Sequence, residues 1–483
     1  MELKNIVCVV VCTLVGLSSF LSAKEKSPIQ SIFPQINWID EVGATPSQSS
    51  GYVVNAVDFG AVGDGATLNT KAIQSAIDAC GAQGGGRVLF TPGKYLTGSL
   101  YLRSNVELHI DKNVTLLGSQ NIKDYPETFT RIAGIEMRWP AALINANGVQ
   151  HASVSGEGTI HGQGKVYWEK YWSMRKEYEL KGLRWVVDYD CKRPRTILVS
   201  ESDNITVKDI TIKQSGFWSM QILYSDRCTV DGVTIRNNID GHGPSTDGVD
   251  IDSSTRILVQ NCDVDCNDDN FCLKAGRDAD GLRVNKPTEY IIIRDCISRA
   301  GGGLFTCGSE TSGGIRNVLA YNLKAAGTGV GIRFKSAMTR GGTIENIYIN
   351  NIQMQNVGVA IETTLNWYPA YSYSSLPAEY EGKSVPEHWN TLLRKVCPDS
   401  LGVPRFRNIF LSDVNIKHAK QALSASGAEN SMLENFFLNN IRISTEKAGS
   451  IEYAHNWSIV NLVFPEIKAS ELLVKNSINV LQK

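Results

Sequence analysis

The sequence predicts an all-β protein, a single-stranded right-handed parallel β-helix with a short N-terminal helical cap. Two observations favour this fold. From about residue 142 onward, a β-rich segment recurs in which Asn or Asp lies five positions after an Asn or its substitute. The distance between recurrences varies while the strand-like cores stay constant, which is typical of loops of different length on a regular coil. Asn also suits the left-handed backbone that tight turns require.

The repeat can be followed through most of the chain. Degenerate copies begin at Arg227, Arg256 and Tyr290. The complete copies are Asn204–Asp209, Asn317–Asn322, Asn346–Asn351, Asn408–Asp413, Asn435–Asn440 and Asn456–Asn461. Because a β-solenoid grows by adding coils, the 483-residue chain is expected to form one long β-helix domain over residues 51–483.

The N-terminal residues predict export. Lys4 precedes an apolar run from Ile6 to Leu21, and small residues follow before the charged segment Lys24–Lys26. This pattern is typical of a secretory signal peptide, here residues 1–23, and the run is too short for a spanning helix. We therefore expect a secreted or periplasmic protein in which residues 24–50 form an arm along the domain.

Composition argues against several classes of partner. The chain has 48 basic and 49 acidic residues, so its net charge of -1 gives no global field to recruit nucleic acid or an anionic membrane. An odd number of cysteines, nine, follows the signal segment, which argues against a dense disulfide framework. Cys262 and Cys266 lack a second pair with zinc spacing. No metal and no cofactor are expected.

A short amphipathic helix is predicted before the repeats, following the turn-rich segment Val57–Gly65. Asn69 is the predicted N-cap. The apolar face consists of Ala72, Ile73, Ala76, Ile77 and Cys80. Such a helix is well placed to cover the open end of a solenoid core.

Two insertions interrupt the repeat, and both are rich in aromatic residues. They are Tyr167–Tyr189, part of which is predicted to be helical, and Ala360–Arg405. Aromatic clusters serve packing, but long aromatic loops beside a groove are also typical of sugar-stacking subsites. Both interpretations stay open, and Trp367 and Tyr368 are candidate substrate-binding residues.

Acidic residues concentrate at two places one coil apart. Asp247 and Asp268 are separated by 21 positions, about the length of one coil, and Asp269 follows directly. Stacked coils lie about 4.8 Å apart, so these side chains should be neighbours in space. Although a single Asp is an ordinary turn former, the shared offset favours a functional site.

Four short motifs resemble those of glycoside hydrolase family 28, the polygalacturonase family. Ser245-Thr246-Asp247 matches its Asn-Thr-Asp motif with Ser in place of Asn, and Asn267-Asp268-Asp269 matches its Asp-Asp motif with a different leading residue. Arg333-Phe334-Lys335 matches Arg-x-Lys. Gly301-Gly302-Gly303 occupies the place of Gly-His-Gly, so the family's His is missing. The resemblance runs from Phe59 to Ile361.

The resemblance implies an inverting hydrolase of pectic polysaccharide or oligosaccharide. It assigns Asp268 as the general acid and Asp247 and Asp269 as the residues that hold and deprotonate water. Inversion requires acid and base about 6.5 to 9.5 Å apart. Arg333 and Lys335 are expected to bind a galacturonate carboxylate.

Three further residues are candidates for the substrate site. Lys274 would add positive charge, and Glu310 is either another acid or an acceptor for turn amides. His242 is a candidate replacement for the missing His because it lies close to Asp247 in sequence. The length of the two insertions predicts an exo-acting enzyme. Two alternatives stay open, a Ca²⁺-dependent eliminase of the pectate-lyase type and a non-catalytic glycan-binding β-helix.

Overall fold

The structure, a computed structural model, describes residues 28–45 and 51–482. The chain divides into two compact units, one ending at Asn37 and one beginning at Trp38. The described part of the first unit contains helix α1, Pro28–Ile32. The predicted signal peptide lies outside the described residues, as does part of the predicted arm. The domain boundaries therefore stay predictions.

The second unit consists mainly of short β-strands joined by turns. The strands of its first half are β1 Val53–Asn55, β2 Asp64–Leu68, β3 Gly86–Leu89, β4 Gly93–Thr97, β5 Leu100–Tyr101, β6 Val106–His109, β7 Val114–Gly118, β8 Glu127–Ile132, β9 Ile135–Pro140, β10 Ile144–Asn147, β11 Ser153–Ser155, β12 Thr159–His161, β13 Ile197–Ser200, β14 Thr206–Lys208, β15 Thr211–Lys213, β16 Met220–Leu223, β17 Thr229–Asp231 and β18 Thr234–Arg236. Those of the second half are β19 Val249–Asp252, β20 Thr255–Gln260, β21 Asp263–Asp265, β22 Asp269–Lys274, β23 Thr288–Arg294, β24 Ile297–Ser298, β25 Gly303–Cys307, β26 Ile315–Ala326, β27 Val330–Lys335, β28 Thr343–Gln355, β29 Val359–Thr364, β30 Arg405–Ala419, β31 Gln421–Ser426, β32 Leu433–Thr445, β33 Gly449–Glu452, β34 Ala454–Val463, β35 Leu473–Lys475 and β36 Ile478–Gln482.

These strands stack coil upon coil. Within the described residues, 22 strands form one sheet and 12 form another, and the strand pairs in both sheets are parallel, whereas β8 and β9 form a separate antiparallel hairpin. Each strand of the 12-stranded sheet pairs with the strand one coil later, for example β19 with β22 and β22 with β25. The fold is the predicted right-handed parallel β-helix.

The repeat positions make the turns of the coil, as predicted. Each complete copy has both of its Asn or Asp residues in the left-handed region, with φ between 53° and 60°. The degenerate heads Arg227, Arg256 and Tyr290 share this conformation. Amide side chains also hydrogen-bond from coil to coil, since Asn346 donates to Asn317 over 3.3 Å and Asn408 donates to Asn346 over 3.2 Å. The repeat therefore encodes both the bend and the contact between coils.

The remaining α-helices of the second unit lie outside the stacked strands. They are α2 Thr70–Ala82, α3 Lys165–Leu180, α4 Val187–Asp190, α5 Asp278–Val284, α6 Pro369–Ser372 and α7 Glu387–Leu393. Helix α2 is the predicted cap, and it buries Ile73, Ala76, Ile77 and Cys80 against the solenoid core.

Asn69 occupies the predicted N-cap position of helix α2, but its side chain does not cap the helix. No side-chain hydrogen bond joins Asn69 to helix α2. Its Oδ1 accepts from the Val62 amide over 2.7 Å, and its Nδ2 donates to the carbonyls of Val62 and Thr67. The Asn69 side chain is turned back onto the preceding loop, so it stabilises the approach to the helix rather than its first turn.

The two insertions pack against each other. Helices α3 and α4 belong to the first insertion, as predicted, and α6 and α7 to the second. The second insertion is shorter than predicted because residues 360–364 belong to β29. Both insertions contribute to a second apolar core, separate from the solenoid core. This second core includes Trp139, Trp185, Tyr189, Trp218, Tyr371 and Trp389. Packing is therefore the main role of these aromatic residues. Within the described ranges, no helix combines the length and apolarity needed to cross a bilayer.

Candidate active site

Neighbouring strands of the 12-stranded sheet bring the predicted acidic residues together. Asp247 lies just before β19, and Asp269 begins β22. The pairing of these strands matches Val249 with Phe271, an offset of 22 positions. In addition, the Gly248 amide donates to the Asp269 carbonyl over 2.9 Å. Asp247 is therefore stacked on Asp269, and the predicted 21-residue offset to Asp268 is wrong by one position, since the coil length at this point is set by the loop.

Asp268 and Asp269 both reach the same cavity although they are sequential. Asp269 is almost fully buried, whereas Asp268 is partly exposed. Asp268 precedes β22, so the alternation of side chains along a strand does not apply to it. Its Oδ1 accepts the Asp269 amide over 2.9 Å, and its carbonyl accepts the Gly302 amide over 2.7 Å. This turn is the backbone bend that the two roles require.

The cavity is lined jointly by the solenoid and the insertions. It is partly open to solvent, and its lining residues surround about 500 Å³ of non-atom space. The strands supply Asp247, Asp268, Asp269, Lys274 and Lys335, with Ser309 and Glu310 from the turn after β25. The other lining residues are Ala133, Arg184, Asp188, Phe217, Trp218, Ser245, Trp367 and Tyr371.

Cations bind Asp269 from two sides. The Lys335 Nζ donates to Asp269 Oδ2 over 2.8 Å, and the Arg333 Nη1 lies 3.3 Å from Oδ1. Arg333 also binds Glu362 over 2.8 Å. Burial by itself would raise the pKa of Asp269, but Lys335, Arg333 and Lys274 outweigh it and hold that pKa well below its usual range. Asp269 is therefore ionised.

A third cation, Lys274, lies among three carboxyl groups. Its Nζ is 3.5 Å from Asp247, 3.4 Å from Asp250 and 3.6 Å from Glu310. Burial opposes the charge on Lys274, yet its pKa is raised because Cys272 and these carboxyls lie close to it. The Glu310 carboxyl is also buried, but Lys274 and Arg340 lower its pKa to about 2. Glu310 is thus an ionised partner of Lys274.

The remaining carboxyls hold protons more tightly. Burial, followed by repulsion from Asp268 and Asp250, raises the pKa of Asp247, whose Oδ1 has no hydrogen-bond partner. Burial and repulsion from Asp269 likewise raise the pKa of Asp268. Burial also raises the pKa of Asp250 to about 8. The cavity thus places an ionised carboxylate beside carboxyls that retain protons, the combination that acid–base hydrolysis needs.

The acidic group does not suit a metal ion. Asp247, Asp269 and Cys272 each present a possible ligand atom, and these atoms lie within 4.8 Å of one another. However, the buried Cys272 thiol donates to the Gly308 carbonyl over 3.3 Å. Lys335 already occupies one oxygen of Asp269. We therefore assign these residues to proton chemistry.

Gly302 lies beside the acidic pair. A Cβ at this position would be 3.2 Å from Asp269 Oδ1 and 3.5 Å from Asp268 Oδ1. The position at which the resembling family carries His is therefore at the cavity, and glycine leaves it without a side chain. His242 does not fill this place. It lies on the exposed loop before β19, with its ring 5.9 Å from that of Trp172.

The two predicted aromatic residues have different positions. Trp367 lines the cavity, and its ring lies 4.1 Å from the Lys335 Nζ. Tyr368 is outside the lining and 37% exposed, and its hydroxyl accepts from Arg175 over 3.2 Å. Tyr368 therefore supports the wall of the cavity rather than its interior.

Sequence reasoning missed several lining residues. Asp250 does not itself line the cavity, but it lies 3.4 Å from the Lys274 Nζ and was missed too. Its position in β19, two residues before the Asp252 that pairs with Lys274 of β22, was the available signal. Trp218 was outside the insertions, although its ring lies 5.0 Å from the Lys274 Nζ. Arg184, Asp188 and Tyr371 are within the predicted insertions, but no motif marks them.

Comparisons with known proteins agree with this geometry. A probable polygalacturonase of Vitis vinifera is 30% identical over 386 residues, covering 76% of this chain and 74% of the relative. An exo-poly-alpha-D-galacturonosidase of Dickeya chrysanthemi is 26% identical over 455 residues, covering 86% and 71%. The structure of a hyperthermoactive exopolygalacturonase from Thermotoga maritima, 25% identical, superposes with a TM-score of 0.74 and covers 88% of this chain and 94% of that one.

The family assignment rests on a match longer than any single motif. The model of glycosyl hydrolases family 28 matches residues 80–371, a range that contains the cavity strands β19, β22, β25 and β27, the first insertion and the beginning of the second. The enzyme class follows from this match, so neither an eliminase nor a binding-only β-helix is supported. The chain is a glycoside hydrolase and belongs to glycosyl hydrolases family 28.

Proposed function

We propose that this hydrolase cleaves α-galacturonosyl linkages in pectin, in polygalacturonan or rhamnogalacturonan, with inversion and from a chain end. The observation that carries the proposal is the pairing of an ionised Asp269 with a proton-retaining Asp268 in one cavity. The named relatives, which include polygalacturonases and exo-acting galacturonosidases, support the substrate class. The predicted signal peptide supports a secreted or periplasmic location.

In this mechanism Asp268 gives its proton to the leaving glycosidic oxygen. Its partial exposure allows contact with substrate, and its raised pKa keeps the proton available at moderate acidity. Asp269, with Asp247 stacked one coil away, holds and deprotonates the attacking water. Asp247, Asp250 and Asp268 retain protons, so the water-activating group is the carboxylate that Lys335 and Arg333 keep ionised.

The walls of the cavity support attack at a chain end. Arg184 and Asp188 from the first insertion, and Trp367 and Tyr371 from the second, line the cavity together with the acids. Because the insertions share one apolar core, this wall is held by packing and not by a single loop. A groove closed at one end admits a terminus more readily than the middle of a chain.

Product analysis tests each part of the proposal. Polygalacturonan and rhamnogalacturonan would be incubated separately, with viscosity, new reducing ends and product sizes followed together. We expect mono- or short oligosaccharides with little early loss of viscosity. Proton NMR of the first turnover should show product of inverted anomeric configuration. A broad early ladder of oligomers would refute the exo mode, retained configuration would refute inversion, and an unsaturated sugar would refute hydrolysis.

A further inference from the structure

Most cations around the cavity are already neutralised by carboxylates of the protein. Lys274 is neutralised by the ionised Glu310, with the proton-retaining Asp247 and Asp250 also close to its Nζ. Lys335 binds Asp269, and Arg333 is divided between Asp269 and Glu362. A substrate carboxylate that recruited these groups would compete with Asp269, whose ionisation depends on them. The main role of these cations is therefore to set the charge of the acid–base pair.

Arg184 differs in its charge balance. Its Nη1 donates to Asp188 over 2.6 Å, and Arg193 approaches the other oxygen of Asp188 over 3.4 Å. Glu179 lies 3.9 Å from the Arg184 Nε but is bound at 2.8 Å by Arg175. Three guanidinium groups thus face two carboxylates, which leaves one positive charge in excess at this wall of the cavity.

The Arg184 side chain is held ready for a ligand. Its guanidinium carbon lies 5.3 Å from the Tyr368 ring and 5.2 Å from the Tyr371 ring. Only 12% of the side chain is exposed, and its Nε has no hydrogen-bond partner. A guanidinium fixed by aromatic rings and one carboxylate loses little freedom when it binds a second anion.

We propose that Arg184 binds the carboxylate of the uronate residue at the closed end of the cavity. The inference rests on the proposed function, because it takes the substrate to be a chain of uronic acids. Arg184 and the acids Asp247, Asp268 and Asp269 line the same cavity, so a sugar bound there contacts both the reacting groups and this cation. Arg184 thereby selects an acidic chain end over a neutral one, and it lies outside the family motifs.

Calorimetric binding tests the inference without requiring turnover. The ligands are digalacturonate and the same disaccharide with both carboxyls reduced, and the proteins are wild type, R184M, R184K and K181M. We expect R184M to bind digalacturonate about 10- to 100-fold more weakly than wild type, since a hydrogen-bonded charge pair is lost, and to bind the reduced sugar unchanged. R184K should recover part of the affinity. K181M, which removes an exposed cation of the same insertion that pairs with Glu177 outside the cavity lining, should bind like wild type.

The outcomes separate this inference from the proposed function. Melting temperatures of R184M and R184K show whether Asp188 still packs, and R184K keeps the test valid if R184M unfolds. Equal affinity of wild type and R184M for digalacturonate, or equal losses on both sugars in R184M or R184K, would overturn the role of Arg184. So would the absence of digalacturonate binding by wild type. Hydrolysis of trigalacturonate by wild type, measured in parallel, decides the proposed function independently.

Discussion

Asp268 and Asp269 are adjacent in sequence, yet the pKa values of their carboxyls move in opposite directions. Both are affected by burial, so the difference arises from the cations. Lys335 and Arg333 contact Asp269 directly, whereas Asp268 accepts only a backbone amide. Single contacts of 2.8 to 3.3 Å therefore divide two identical side chains into a proton acceptor and a proton donor.

Replacement of the proposed acid gives the first prediction. Asp268→Asn should lower kcat by about 10² to 10⁴ because the leaving oxygen loses its proton donor. The melting temperature should change little, since the amide can still accept the Asp269 N–H. Steady-state kinetics on the substrate identified by product analysis provides the measurement. Asp231→Asn, in β17 of the other sheet, is the matched control, and equal rates in the two variants would contradict the role of Asp268.

Replacement of Lys335 gives a prediction about pH. Asp269 must be ionised to act, so its pKa sets the acidic limb of the kcat/KM profile. Lys335→Met removes the ammonium that lies 2.8 Å from Asp269 and that lowers the pKa of its carboxyl. Without this ammonium, burial raises that pKa. The acidic limb should therefore move to higher pH. If kcat/KM falls at every pH while the acidic limb stays at the same pH, Lys335 does not control the pKa of Asp269.

At the scale of elements, the insertions that close the cavity are built differently from the coils. The coils are held by parallel strand pairing and a continuous apolar interior. The insertions are held to each other by aromatic contacts, with Trp389 packed 5.5 Å from both Trp185 and Tyr380 and its Nε1 bonded to Asp190 over 3.0 Å. One core can therefore be weakened without the other.

Trp389→Ala tests the function of that wall. Loss of a buried Trp costs about 3 to 5 kcal/mol of packing, here confined to the insertions. Early products longer than a dimer should increase, as read by chromatography at equal conversion. Trp457→Ala is the contrasting variant because Trp457 is stacked 4.3 Å from Phe436 in the solenoid core. It should lower the melting temperature without changing product sizes. Unchanged products in Trp389→Ala would argue against a wall-imposed exo mode.

For the whole molecule, the coil is stabilised by left-handed residues repeated along its length. Asn408 has φ of 55°, donates to Asn346 and accepts from Asn435 over 3.0 Å. Asn408→Ala removes both hydrogen bonds and imposes a strained backbone, whereas Asn408→Gly removes the bonds only. We expect the alanine variant to be about 1 to 2 kcal/mol less stable than the glycine variant. Denaturant unfolding measures the difference. Equal stability of the two variants would show that the hydrogen bonds between coils, and not the left-handed backbone, determine the effect of Asn408.

The buried carboxyl of Asp250 predicts how stability depends on pH. Its pKa is about 8 in the folded protein and about 4 in an unfolded chain, so the folded state binds more protons between these values. Its contribution to stability is full below pH 4 and falls as pH rises to 8, by at most about 1.4 kcal/mol per pH unit. The melting temperature of Asp250→Asn relative to wild type should therefore increase from pH 5 to pH 8. A constant difference would contradict the buried proton.

The sequence by itself determined the coil, because Asn and Asp mark the left-handed turns through their own backbone preference. It also determined that Asp247 and the pair Asp268–Asp269 meet, since these residues begin neighbouring strands. The sequence did not determine the pairing register of β19 and β22, because the offset of 22 rather than 21 positions depends on the length of one loop. This offset decides which Asp stacks on Asp247. Local preference carries no information about such offsets.

Only the tertiary structure decided what surrounds the acids. Arg184 and Tyr371 are distant from β22 in sequence, and they reach the cavity because two insertions pack on one apolar core. The same packing places the exposed His242 beside Trp172 and brings Gly302 close to Asp268 and Asp269. Residue type reveals which side chains can bind a proton or a sugar, but their distances, and hence their pKa values, follow from long-range packing.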